Sequence, residues 1–93
     1  MGYDDEIAVL RDEIDRINIE IVGKIAERVD VALKIGEVKS RYGQPVRDPV
    51  RERRLKQKVK ELARSYELDD IAVERIFSEI IGLCANAEER ARR

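Results

Sequence analysis

Arg28 and Lys39 stand eleven positions apart in an uninterrupted apolar repeat, with Ala32 and Ile35 between them. At about 100° per residue, that separation returns Lys39 to within roughly 20° of Arg28, so both cations share a helix face with core-type residues. Cations on an apolar face suit the grip of a small anion through charge-assisted hydrogen bonds, and guanidinium forks match carboxylates. Arg11 lies seventeen positions before Arg28, a rotation of about 260° and a distance of about 25 Å along the axis. It can reach an anion held by Arg28 only from another chain.

Two further groups have the types and spacing for chemistry. Arg47, Asp48, Arg51, Glu52, Arg53 and Arg54 crowd one turn around Pro49, and Cys84 and Glu88 share a stripe four residues apart. Each also has a plainer account. The first is explained by helix capping with i,i+4 pairing, a buried Cys is usually an inert small hydrophobe, and a Glu near a chain end is usually solvated. Spacing alone carries the reading no further than a cationic pocket between the helices of a dimer. The chain has no His and a single Cys, which removes His-based triads, most zinc sites and any internal disulfide, and no metal or cofactor is expected.

These residues need long helices to position them. Ile7, Leu10, Ile14, Ile17, Ile21, Ile25, Ala32 and Ile35 repeat at spacings of three and four, and no Pro intervenes before Pro45. The pattern predicts one very long first helix, from about 5 to 41, and therefore about 55 Å in length. Gly43 and Pro45 end it. Asp48 and Pro49 read as the N-cap and first position of a second helix with an inner stripe of Leu55, Val59, Leu62 and Tyr66. A third helix starts at Asp69, with a staple between Leu68 and Val73, and carries Val73, Ile76, Phe77, Ile80, Ile81 and Cys84 on its apolar face.

Ninety-three residues, 42% of them charged, leave a thin core for a monomer, and a compact globule of this size, roughly 30 Å across, cannot cover the first helix. The expectation is a single all-α domain over 1–93, three helices per chain, in an intertwined homodimer with its ligand between helices. The net charge of −1 provides no field for nucleic acid or anionic lipid. An acidic start at Asp4, Asp5 and Glu6 and the lack of a long apolar run point to a cytoplasmic protein without a membrane span.

Four segments together resemble the all-α chorismate mutases: Leu10-Arg11-Asp12-Glu13-Ile14-Asp15, Ile25-Ala26-Glu27-Arg28, Ile35-Gly36-Glu37-Val38-Lys39 and Pro45-Val46-Arg47-Asp48-Pro49-Val50-Arg51-Glu52-Arg53. The resemblance runs from about residue 7 to 88 and implies the Claisen rearrangement of chorismate to prephenate on the branch to phenylalanine and tyrosine. It implies that Arg28 and, from the second protomer, Arg11 bind the two substrate carboxylates. Lys39 would donate to the ether oxygen and a carboxylate, Glu52 and the backbone amide of Asp48 would hold the ring hydroxyl, and Arg51 would line the pocket. Glu88 stands where many members have Gln, and Cys84 where Ser or Asn is usual. A carboxyl at 88 can donate to the ether oxygen only when protonated, which makes the pH optimum a property to measure. An isochorismate pyruvate lyase would use a similar helical dimer and pocket, although the Pro45-to-Arg53 segment favours the mutase. A non-catalytic dimerisation module is the alternative from another class.

Overall fold

The computed structural model describes residues 2–92; Met1 and Arg93, the two ends of the expected 1–93 domain, lie outside the described residues. Three helices follow one another: α1 over Tyr3–Arg41, α2 over Pro49–Ser65 and α3 over Asp70–Ala91. No helix among the described residues is long and apolar enough to cross a membrane.

α1 begins two residues earlier than the apolar repeat predicts. Asp4, Asp5 and Glu6 put carboxylates at the positive end of the helix dipole, and the Gly2 amide donates to the Asp5 side chain at 3.3 Å. The helix stops where Gly43 takes φ 67°, which turns the Gln44 N–H back onto the Lys39 carbonyl at 2.8 Å. This is the Schellman closure, in which glycine accepts the left-handed conformation without a Cβ penalty. α2 begins as predicted, with Pro49 in its first turn and the Asp48 carboxylate accepting the Arg51 amide at 3.1 Å. Asp69 caps α3 by accepting from the Ile71 and Ala72 amides.

The inner line of α2 differs from the predicted stripe. Val59 is buried and Leu55 half-buried, but Leu62 and Tyr66 are exposed and Ala63 is buried instead. At the end of α2 the Leu68 N–H donates to the Ala63 carbonyl at 2.9 Å, and the small Ala63 is the residue buried on that turn. Ion pairs from Lys60 to Glu74 and from Arg64 to Asp70 tie α2 to α3.

α3 packs against both other helices. It runs antiparallel to α2, and in the same direction as α1, since Arg28 meets Cys84, Gly36 meets Glu88 and Gln44 meets Arg92. The buried apolar residues, Val46, Val59, Ala63, Ile81, Cys84 and Ala85, all belong to α2, α3 or the loop before α2. The first half of α1 is bare: Leu10, Ile14, Ile17 and Ile21 are each about half exposed or more. The chain measures 62 × 27 × 14 Å with a radius of gyration of 17.4 Å, against about 12 Å for a compact domain of this length.

Candidate active site

The second half of α1, the loop before α2, the first turns of α2 and the last turns of α3 enclose a cleft of about 410 Å³, within the range of small-molecule sites. Arg28, Lys39, Asp48, Arg51, Glu52, Cys84 and Glu88, seven of the residues singled out by sequence, all line it. Arg11 does not; it lies on the bare half of α1 and is exposed. Val31, Ala32, Ile35, Leu55, Ile81 and Ala85 supply apolar walls, which lower the local dielectric and strengthen polar contacts made inside.

The cations are fixed by contacts that leave donors free. The Lys39 ammonium donates to the Val46 carbonyl at 2.6 Å, one of the three hydrogen bonds an ammonium can make. Arg28 Nη1 donates to Cys84 Sγ at 2.9 Å, so the thiol serves here as an acceptor that orients the guanidinium. Val46 is buried and anchors the loop, whose Gln44 carbonyl also accepts from Arg92 at 2.7 Å.

Glu88 is buried at 6% exposure, in contrast to the plain expectation for a Glu near a chain end. Its Oε1 lies 4.0 Å from Lys39 Nζ, so a carboxylate and an ammonium face each other on the cleft wall. Glu52 is gripped by Arg47 through two hydrogen bonds of 2.9 and 2.6 Å. Those bonds, with the guanidinium charge, hold the Glu52 carboxyl below its usual range against the opposing effect of burial, and raise Arg47 in turn.

Sequence reasoning singled out Arg47 but missed its pairing, and it missed two further participants. Arg47 forms its pair at a spacing of five across the start of α2, where the i,i+4 rule does not look. The Val46 carbonyl is a backbone group and carries no residue-type signal. Gly36, read only as part of a motif, lies against Glu88, and an isolated glycine inside a helical repeat was the available clue. Among the described residues no cluster of three or more His, Cys, Asp or Glu is placed to hold a metal ion.

Lining the cleft are four cations and three carboxylates, an excess of one positive charge on a partly apolar wall. Such a site suits a small, anionic, partly apolar molecule. Comparison with known proteins agrees. The profile of the family "Chorismate mutase type II" matches residues 10–89. The chain is 31% identical over 77 residues to a chorismate mutase of Methanocaldococcus jannaschii, covering 83% of this chain and 78% of that one. It is 36% identical over 89 residues to a bifunctional chorismate mutase/prephenate dehydratase of Aquifex aeolicus, covering 92% of this chain and 25% of that protein. A bifunctional protein of the same description from Escherichia coli is 31% identical over 81 residues, 87% of this chain and 21% of its own length. The chain thus spans a quarter or less of these two bifunctional relatives and most of the single-function one.

Proposed function

The chain belongs to the chorismate mutase type II family, and from that premise we propose that it rearranges chorismate to prephenate, feeding the phenylalanine and tyrosine branch. The observation that carries the proposal is the convergence of Arg28 and Lys39 with Glu88, Glu52 and the start of α2 on one apolar-walled cleft. The reaction is pericyclic: the ether C–O bond breaks as a C–C bond forms, and no proton, metal or nucleophile is required. Catalysis then consists of holding the flexible substrate in its reactive conformation and stabilising charge on the ether oxygen.

Each side chain has a task consistent with its contacts. Arg28, oriented by Cys84, takes one carboxylate. Lys39 keeps its bond to Val46 and donates a second hydrogen to the ether oxygen. Glu88, on the same wall, donates to that oxygen when protonated. Glu52, steadied by Arg47, and the amide of Asp48 hold the ring hydroxyl, with Arg51 at the rim.

The proposal includes a homodimer that contributes Arg11 across the interface. The substrate carries two carboxylates, and within one chain Arg28 grips one of them; a guanidinium from a second protomer supplies the matching grip for the other. The half-exposed Ile and Leu side chains around Arg11 are the kind of surface that such an interface covers. We treat the chain as one mutase unit and place it in the cytoplasm, where its single thiol stays reduced.

The test is to incubate the purified protein with chorismate and, separately, with isochorismate and to identify the products. Prephenate is expected. Pyruvate with salicylate, from isochorismate, would move the protein to the lyases, and a folded dimer inert toward both would end the enzymatic reading.

A further inference from the structure

Gly36 is the one buried residue described in α1, and it stands within the helix, five residues before its end at Arg41, where alanine would be the better helix former. Neither a turn nor a positive φ calls for glycine there, since α1 runs through it without interruption. The reason lies across the helix interface. A Cβ built on Gly36 would approach Glu88 Cγ to 3.1 Å, its Oε1 to 3.3 Å and its Cβ to 3.4 Å. Elsewhere on the helices, a Cβ built on Gly23 or Gly82 meets nothing within 4 Å.

We infer that Gly36 is a positioning residue: its missing side chain is the seat that sets the Glu88 carboxyl on the cleft wall opposite Lys39, an inference that rests on the mutase reading above. A methyl group at 36 crowds Glu88, which has to give by a few tenths of an ångström. The side chain is buried and Oε1 is itself one of the crowded atoms, so the adjustment falls on the carboxyl that lies 4.0 Å from Lys39 Nζ. A displacement of about 1 Å in a catalytic group costs up to about 100-fold in rate, and a shift of a few tenths of an ångström correspondingly less.

The experiment is a double-mutant cycle of Gly36→Ala with Glu88→Ala, read in kcat, KM and melting temperature. In the wild-type background, Gly36→Ala lowers kcat on the order of 10-fold while KM changes less, because the carboxylate grips of Arg28 and Arg11 are untouched. With Ala at 88, the crowded Cγ and carboxyl are gone, and the same exchange changes kcat by less than about twofold. Gly82→Ala, where the new methyl meets open space, keeps wild-type kcat. A folded Gly36→Ala protein with wild-type kcat, or an equal loss in both Glu88 backgrounds, overturns the inference. Should Gly36→Ala fail to fold, recovery of a cooperative melt in the double variant supports it and failure to recover overturns it. A wild-type protein that forms no prephenate defeats the mutase reading instead, and the seat is then judged by the melting cycle alone, where non-additivity supports it and additivity overturns it.

Discussion

The two halves of α1 are built from the same kinds of residue and end in opposite circumstances. From Arg28 to Lys39 the helix is partly covered, with Ala32 and Leu33 half-buried and Gly36 buried, and it forms one wall of the cleft, whereas Leu10, Ile14, Ile17 and Ile21 stand open and Arg11 touches nothing in the cleft. Apolar periodicity runs through both. The difference shows that periodicity states which face will be buried and leaves open which chain does the burying. It also separates the cations: Arg28 and Lys39 share the cleft, and Arg11 is held out on an uncovered arm.

The sharpest break between the halves should come from removing the cations of the covered half. Lys39→Ala and Arg28→Ala should each lower kcat/KM by 10²–10³-fold, about 3–4 kcal/mol of transition-state stabilisation. Circular dichroism and melting should change little, because Lys39 is part-exposed and bonded to one carbonyl. A folded Lys39→Ala protein of near wild-type kcat/KM would remove it from the mechanism.

Arg11→Ala tests the bare half. Loss of one charged contact should cost roughly 1.5–3 kcal/mol of substrate and transition-state binding, without lowering the stability of the protomer. The decisive measurement mixes Arg11→Ala chains with Arg28→Ala chains. If the arm serves the other protomer's cleft, a heterodimer contains one site free of both changes, and activity returns on mixing. No recovery, or an active monomer in analytical ultracentrifugation, would put Arg11 outside the site.

Smaller effects probe how the covered half is held. Acid should release the Arg47–Glu52 pair. The folded Glu52 carboxyl lies below its ordinary value, so the pair stabilises in full above the unfolded value near about 4.3 and loses its contribution as pH falls through the lower folded one. The melting-temperature gap between wild type and Glu52→Gln should therefore be constant at neutral pH and close in strong acid; a gap that widened on acidification would contradict the assignment.

The smallest change is expected at Cys84. It accepts from Arg28 and has no bond to make or break, so Cys84→Ala should cost about 1 kcal/mol or less in stability and leave turnover nearly intact. Cys84→Ser, which keeps an acceptor, should match or modestly improve substrate binding. A bulky thiol reagent should inhibit by filling the cleft, with protection by a bound substrate analogue. Abolished turnover in a folded Cys84→Ala dimer would require a covalent role instead.

Much of this was legible before any coordinates. The three helices, the stop at Gly43, the caps at Asp48 and Asp69 and the shared face of Arg28 and Lys39 follow from local rules, since helix period, N-caps and glycine closures depend on neighbours within a few residues. The second turn shows the limit of such rules. Glu67 takes φ 58°, the left-handed place a glycine would normally mark, so composition gave no sign of the closure there. The inner line of α2, with Ala63 inside and Leu62 and Tyr66 outside, likewise depends on packing that the period of one helix does not state.

By itself the sequence determined helix content, helix ends, the cation-bearing face of α1 and, through four motifs in order, the family. Tertiary structure alone decided that Glu88 is buried, that Lys39 rests on the Val46 carbonyl, that Arg47 rather than solvent holds Glu52, and that Gly36 is empty so that Glu88 can fit. All four are contacts between segments brought together by packing. Their geometry depends on how closely α1 and α3 approach and on where one loop crosses between them, and periodicity along a single helix does not encode either distance.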